Sequence, residues 1–234
     1  MGRVTQKRDS PLIKMPKGPF LNVETTFNLA LSTIFVLFTL IRIWFRYLTR
    51  PPRATLSPDA VVLRALIPFE VVTLFIYLFA PHRLEWARLA LPNRLRWFGV
   101  GMAGTALPLL LWVHLSLGEN FSPDLALRDR HALITHGPYR WARHPMYTAF
   151  YMLHIGTALI TANLFIAITW IGGLSLLVTL RLRREEAMML ERFGDQYRDY
   201  MGRTGRFITL NAPALWNKTN KLVNLPEDKH TAGR

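Results

Sequence analysis

The sequence predicts an all-α fold: a polytopic membrane helix bundle with about five transmembrane helices and a cytosolic C-terminal segment that binds a cofactor. Three observations predict it. Half of the 234 residues are hydrophobic, and the mean hydropathy is positive. The apolar residues are gathered into runs close to the 20 or so that a helix needs to cross a bilayer. There are no cysteines, which excludes disulfides, thiolate zinc sites and a cysteine nucleophile.

Along the chain, residues 1–25 form a basic extension broken by Pro11, Pro16 and Pro19. Neither the short apolar core nor the small-residue cleavage site of a signal peptide is evident. Thr26–Phe45 therefore reads as a retained first span. Ala60–Phe79 and Trp97–Leu117 follow, so residues 26–117 make the first three transmembrane helices. The second span carries Arg64, Pro68 and Glu70, which are costly in hydrocarbon. Glu70 either lines an internal polar cavity or pairs with another helix. His114 and His154 read as hydrogen-bonded bundle histidines.

Residues 118–210 form the cofactor-binding and catalytic region. It includes a hairpin of two short spans, Pro145–Thr161 and Leu164–Leu180, separated by Ala162 and Asn163, with Asn163 as the turn residue. From Arg181 to Phe193 the pattern is amphipathic, as for a fifth helix running out past the membrane, and Gly194 ends it. Residues 211–234 are a polar tail containing Pro213 and Pro226.

The net charge is +14, from 29 Lys and Arg against 15 Asp and Glu. Such an excess suits nucleic acid, anionic lipid or topology signals at helix ends. No folded soluble domain remains to carry nucleic-acid binding. The side holding the 118–144 segment and the C-terminal region has more Lys and Arg, so it faces the cytoplasm. The basic N-terminus argues the other way.

Two blocks carry chemistry. The run H-G-P-Y-R-W-A-R-H-P-M-Y extends from His136 to Tyr147, and R-L-R-R-E-E from Arg181 to Glu186. A helical hairpin lies between them and returns the chain to the same membrane face, so the blocks should meet. Gly137-Pro138 forces a turn, and Pro145 suits the first turn of a helix. Free backbone donors at that helix N-terminus, beside His131, Arg143 and His144, would hold an anion. Tyr139, Trp141 and Tyr147 offer aromatic faces for a purine or a sulfonium. The alternative is an aromatic and basic interfacial belt. Arg181 and Glu185 share a helix face as an i,i+4 pair, while Arg184 and Glu186 read as solvated neighbours. The histidines lack zinc-ligand spacing, and no metal is expected.

Taken in order, these pieces resemble the isoprenylcysteine carboxyl methyltransferase family, which is related to the membrane phospholipid methyltransferases. The matching residues are His131-Ala132-Leu133-Ile134, Gly137-Pro138-Tyr139, Arg143-His144-Pro145-Met146-Tyr147, Arg181, Glu185-Glu186, and the run from Phe193 to Arg206. Ala149 stands where the family often has glycine. The resemblance implies S-adenosylmethionine as cofactor, contacted by His131, Ala132, Leu133, Ile134, Tyr139, His144, Pro145, Met146, Tyr147 and Glu185. It puts Arg181 at the substrate carboxylate, with Arg181 and Glu185 as the catalytic pair.

The expected activity is methyl transfer to a lipophilic or prenylated acceptor that enters from the bilayer. The rivals are a phospholipid N-methyltransferase, a small-thiol S-methyltransferase, a sterol-reductase-like enzyme using a nicotinamide cofactor, and a non-catalytic membrane protein.

Overall fold

The structure is a computed structural model that describes residues 22–49, 58–118 and 132–207. Among these residues the fold is helical, with the order α1 (Val23–Thr49), α2 (Pro58–Phe79), a 3-10 segment (Pro81–Ala87), α3 (Asn93–Leu117), a second 3-10 turn (Gly137–Arg140), α4 (Pro145–Thr161), α5 (Leu164–Phe193) and α6 (Asp195–Arg203). His131, most of the N-terminal extension and the 211–234 tail lie outside the described residues.

The helices α1, α2, α3 and α5 are long and apolar enough to cross a membrane. The fourth expected span is confirmed as a helix but has only 17 residues. At 1.5 Å per residue it rises about 25 Å, short of a hydrocarbon core about 30 Å thick. α3 begins four residues before the expected start because its first turn, Asn93–Arg96, is polar and leaves no trace in an apolar pattern. Outward-facing residues such as Val36, Leu40, Ile43, Phe75, Leu115 and Ile168 are all more than half exposed, as a lipid-facing surface requires.

The core lies where α1, α3 and α4 meet. Phe27, Leu31 and Ile34 of α1 pack with Ala103, Ala106 and Leu107 of α3 and with Leu153 and Ile160 of α4. The closest helix approach is between α3 and α4. A Cβ added at Gly156 would meet the Ala103 Cβ and the Gly99 carbonyl oxygen at 2.7 Å. Small residues at such a crossing let two backbones approach, the usual basis of helix association in lipid. Ala149, where the family the sequence resembles often has glycine, is simply buried, and the close contact lies two turns further along α4.

The α4–α5 turn differs from expectation in one respect. Ala162 takes the left-handed conformation, with φ +46°. Asn163 instead caps α5, accepting from the Ile166 N–H at 3.1 Å, and donates to the Leu84 carbonyl at 2.8 Å. An asparagine side chain that satisfies orphan donors at a helix start is better used as a cap than at a left-handed position.

Glu70 and His154 resolve together. Glu70 Oε1 lies 3.1 Å from His154 Nε2, and His154 Nδ1 lies 2.8 Å from the Phe150 carbonyl. This is the helix-pairing alternative for Glu70, and it makes His154 a hydrogen-bonded bundle histidine. Because Nδ1 must donate to the carbonyl, the Nε2 contact also needs a proton, held by either partner. Nearby, Trp170 of α5 donates to the Thr73 hydroxyl of α2 at 2.9 Å.

Candidate active site

At the opposite end of α4 from the Asn163 turn, the two sequence blocks meet. Gly137 has φ +58°, and a Cβ there would strike the Ser116 Oγ at 2.5 Å, so only glycine fits this turn against α3. Trp141 then packs edge-on to Trp112 of α3, with ring centroids 5.4 Å apart. The chain next enters α4 through His144 and Pro145, with the proline in the first turn.

From α5, Glu185 and Glu186 reach back to this entry. Glu185 Oε1 accepts from the Tyr147 hydroxyl at 2.7 Å, and its Oε2 lies 3.4 Å from His144 Nδ1. Arg181 Nε is 3.4 Å from Glu185 Oε1 and 3.8 Å from Asp59 Oδ2. The helix pair expected from the i,i+4 spacing therefore exists, but it is a buried member of a larger network. His144 stacks on Tyr147, with centroids 5.8 Å apart.

The expectation of solvated neighbours holds in part for Arg184, whose side chain is half exposed although paired, and is overturned for Glu186. Glu186 is 5% exposed. It pairs with Arg143 at 3.0 Å, with Arg206 at 2.8 Å, and lies 3.4 Å from His144 Nε2. Arg184 pairs with the buried Asp59 of α2. A charge run on one helix reads as solvated only while the helix is considered alone. Here α2, the α4 entry and the C-terminal segment all converge on it.

A second correction concerns the backbone donors at the α4 entry. The two that precede Pro145 are not free: Arg143 N–H donates to the Gly205 carbonyl and His144 N–H to the Arg206 carbonyl, both at 2.8 Å. Thr148 Oγ1 also donates to the Phe207 carbonyl at 3.0 Å. The segment after α6 thus straps across the start of α4, and Tyr200 of α6 fastens it by donating to the Tyr139 carbonyl at 2.6 Å.

Burial works against a charge on His144, but contacts with Glu185 and Glu186 outweigh it and hold its pKa above the usual value. Burial likewise raises the Tyr139 and Tyr200 hydroxyls and pushes Tyr197 up to about 12. All three remain neutral hydrogen-bonding groups at physiological pH.

Of the expected site residues, His144, Tyr147, Arg181 and Glu185 are joined directly by these contacts. Pro145 shapes the helix start. Met146 is adjacent, with its sulfur 3.9 Å from the Arg42 guanidinium. Ala132 is exposed, while Leu133 and Ile134 are half-buried in irregular chain before the turn. Tyr139 enters through its backbone carbonyl.

Sequence reasoning missed Asp59, Arg42 and the pairing of Arg143 and Arg206 with Glu186. Arg42 lies over the Phe150 ring, 5.4 Å from its centroid, and close enough to Arg181 to feel its charge. The available signal was its cost: an arginine inside the first span needs a reason to be there.

Residues 99–191 match the model of the isoprenylcysteine carboxyl methyltransferase (ICMT) family. Protein-S-isoprenylcysteine O-methyltransferase of Tribolium castaneum is 34% identical over 93 residues, 39% of this chain and 33% of that protein. The Mus musculus enzyme of the same name is 26% identical over 152 residues, 64% of this chain and 54% of that one. The Saccharomyces cerevisiae enzyme is 35% identical over 90 residues, 38% of each. The aligned stretches thus span about a third to a half of these relatives' length. The solved structure of the eukaryotic intramembrane Ras methyltransferase ICMT shares the fold, with a TM-score of 0.58 at 22% identity over 83% of this chain and 70% of that one. Across the stretch that holds both blocks, the chain is similar to the isoprenylcysteine carboxyl methyltransferases, on the membrane fold of a solved member.

Proposed function

We propose that the protein is an integral-membrane methyltransferase that moves a methyl group from S-adenosylmethionine to the carboxylate of a lipophilic, isoprenylcysteine-type acceptor reached from the bilayer, with its site on the cytoplasmic face. The observation that carries this reading is the charge balance at the α4–α5 junction. Asp59, Glu185 and Glu186 face Arg143, Arg181, Arg184, Arg206 and His144, with Arg42 adjacent. Among the described residues cations outnumber acids here, a balance that suits the anionic groups of the cofactor and of a carboxylate acceptor.

The residues present fit the cofactor, whose amino-acid portion bears an ammonium and a carboxylate. Glu185 keeps 21% of its side chain exposed, against 7% for Glu186, and would hold the ammonium. Arg143 Nε is buried with no hydrogen-bond partner, an N–H left for a carboxylate oxygen. By the resemblance, His131–Ile134, Tyr139, Pro145, Met146 and Tyr147 would line the remainder. S-adenosylmethionine, when bound, supplies a methyl group already activated on a sulfonium.

An ionised carboxylate is its own nucleophile, so the protein's task is alignment. Arg181, oriented by Asp59 and Glu185, would grip the acceptor oxygens through a two-pronged contact. A phospholipid amine would need a base to lose its proton. Glu186 is committed to Arg143 and Arg206, and Glu70 is paired with His154. His154 lies ten residues, about 15 Å, along α4 from His144. Neither acid is a ready base, which favours the carboxylate.

The test is transfer of labelled methyl from S-adenosylmethionine into membrane extract by the purified protein, followed by identification of the product. Label released by mild alkali as methanol from an ester is the expected result. Alkali-stable label on a lipid amine would overturn the carboxylate reading.

A further inference from the structure

A cavity of about 700 Å³ lies at the other end of the bundle. α4 separates it from the ionic cluster: the helix starts at Pro145 beside the cluster and ends at Thr161 in the cavity wall, 17 residues later. The two are therefore about 25 Å apart.

The walls are tied together. Leu89 N–H donates to the Ala162 carbonyl at 2.7 Å, and Asn163 binds the Leu84 carbonyl, so the 3-10 segment is strapped to the α4–α5 turn. Arg96 of α3, only 5% exposed, donates from Nε to the Ile160 carbonyl at 2.9 Å. Its two terminal nitrogens grip both oxygens of Glu24 at 2.8 Å. That pair is internally satisfied and makes a fixed wall.

Three other groups are not satisfied in this way. Arg88 gives one N–H to the same Glu24 carboxylate, at 3.1 Å, and its side chain is 61% exposed. A guanidinium has five donors, so most of its capacity remains. Glu85, three residues earlier, makes no ion pair among the described residues. Asn28 lines the cavity, and its Oδ1 is buried with no hydrogen-bond partner. A turn about its last torsion exchanges the amide oxygen and nitrogen, so that a donor in the cavity can meet the oxygen.

A cation with spare donors, a carboxylate without a counter-ion and an amide oxygen awaiting a donor complement a phosphate joined to a primary ammonium. Next in sequence to the lining residues Glu24 and Arg96 stand exposed apolar residues at this end of the bundle: Val23, Trp97 and Phe98. Acyl chains leaving the cavity at this end of the bundle would meet that exposed apolar surface. We propose that this cavity binds the headgroup of an ethanolamine phospholipid, its phosphate on Arg88 and its ammonium on Glu85 and Asn28. A choline headgroup has no N–H to give Asn28 and is disfavoured. The site is separate from the cluster, so it stands whether or not the proposed reaction is correct.

Native mass spectrometry of the full chain, delipidated in detergent, tests it with three lipids (phosphatidylethanolamine, phosphatidylcholine and phosphatidylglycerol) and with soluble glycerophosphoethanolamine. One phosphatidylethanolamine should be retained at least tenfold more tightly than the other two lipids. Glu85→Gln should erase the preference over phosphatidylcholine, and Arg88→Gln should weaken both. Both residues are exposed, and unchanged thermal midpoints would show the variants to be folded. Equal retention of all three lipids, or unaltered retention in both variants, overturns the proposal. Glycerophosphoethanolamine binding as tightly as the lipid overturns the assignment to a membrane lipid in favour of a soluble ligand.

Discussion

Replacing Glu186 with Gln keeps the shape of the side chain but removes the charge that holds Arg143 and Arg206. The Arg143 side chain is 8% exposed, and leaving one partner of such a buried pair uncompensated costs about 3–5 kcal/mol. Arg206 is half exposed, so its share is below about 1 kcal/mol. Gln retains some hydrogen bonding, which puts the loss near the lower bound, about 3 kcal/mol. For a chain of this size 1 kcal/mol moves the midpoint by about 2–4 °C, so the expected fall is about 6–12 °C. Glu185→Gln is the control. Its Oε1 accepts from the Tyr147 hydroxyl, which can donate equally well to an amide oxygen; of its two cationic neighbours, Arg181 keeps Asp59 and His144 keeps Glu186, so the expected fall is below about 4 °C. Scanning tryptophan fluorescence of both variants in one detergent measures the difference. If Glu186→Gln unfolds within a degree of wild type, or if the two variants fall equally, Glu186 is not the anchor of the C-terminal strap.

Three further outcomes follow from the same geometry. Arg181→Lys keeps a charge but loses the planar fork, so turnover should fall about 100-fold, as for roughly 1 Å of misplacement, while S-adenosylhomocysteine affinity measured by calorimetry stays close to wild type. Near-normal turnover would count against a carboxylate acceptor. His144 has a pKa raised above its unfolded value of about 6.5. Its contribution to stability is therefore fully present below that pH and is lost as pH rises through the folded pKa. Unfolding midpoints should decline upward from about pH 6.5, and His144→Gln should flatten that decline; an unchanged slope would remove His144 from the network. Glu70→Leu should lower stability by about 1–2 kcal/mol, the scale of interhelical hydrogen bonds in membranes, and adding His154→Phe should recover most of it. A double variant worse than both singles would show that the pair does not act as a unit.

The spans were legible because each is an apolar run, and the meeting of the two blocks followed from the parity of the hairpin between them. Glu185, Arg181 and His144 could be singled out because they sit in compact motifs. Asp59 and Arg42 could not, because their relevance depends on where α1 and α2 pack against α5, and periodicity in one helix carries no information about a neighbour's register. Glu186 was misjudged for the same reason. Its partners Arg143 and Arg206 are 43 and 20 residues away in sequence, and Arg206 arrives only because the chain turns back after α6. The Ala162 turn was missed because an alanine with positive φ is disfavoured in isolation and persists only because the packed helices on both sides require it.

On the proposed membrane placement, the shortness of α4 sets the depth of the ionic cluster. With the Asn163 turn at one edge of the hydrocarbon, a helix rising about 25 Å through a layer of about 30 Å ends about 5 Å below the opposite edge. Arg143 and His144 then lie beneath the glycerol level of the surrounding lipids, unless the bilayer thins locally to meet them. A polar headgroup need not be lifted into water to reach such residues, nor an acyl or prenyl tail pulled far from its neighbours. α5, with 30 residues, rises about 45 Å and stands well above the same edge. The helix pair that frames the site is thus a step, with a low tread toward the lipid and a tall riser toward the aqueous phase. On the proposed reaction, a small, water-borne cofactor would approach from above along α5, while a membrane-dissolved acceptor would slide in at the level where α4 begins.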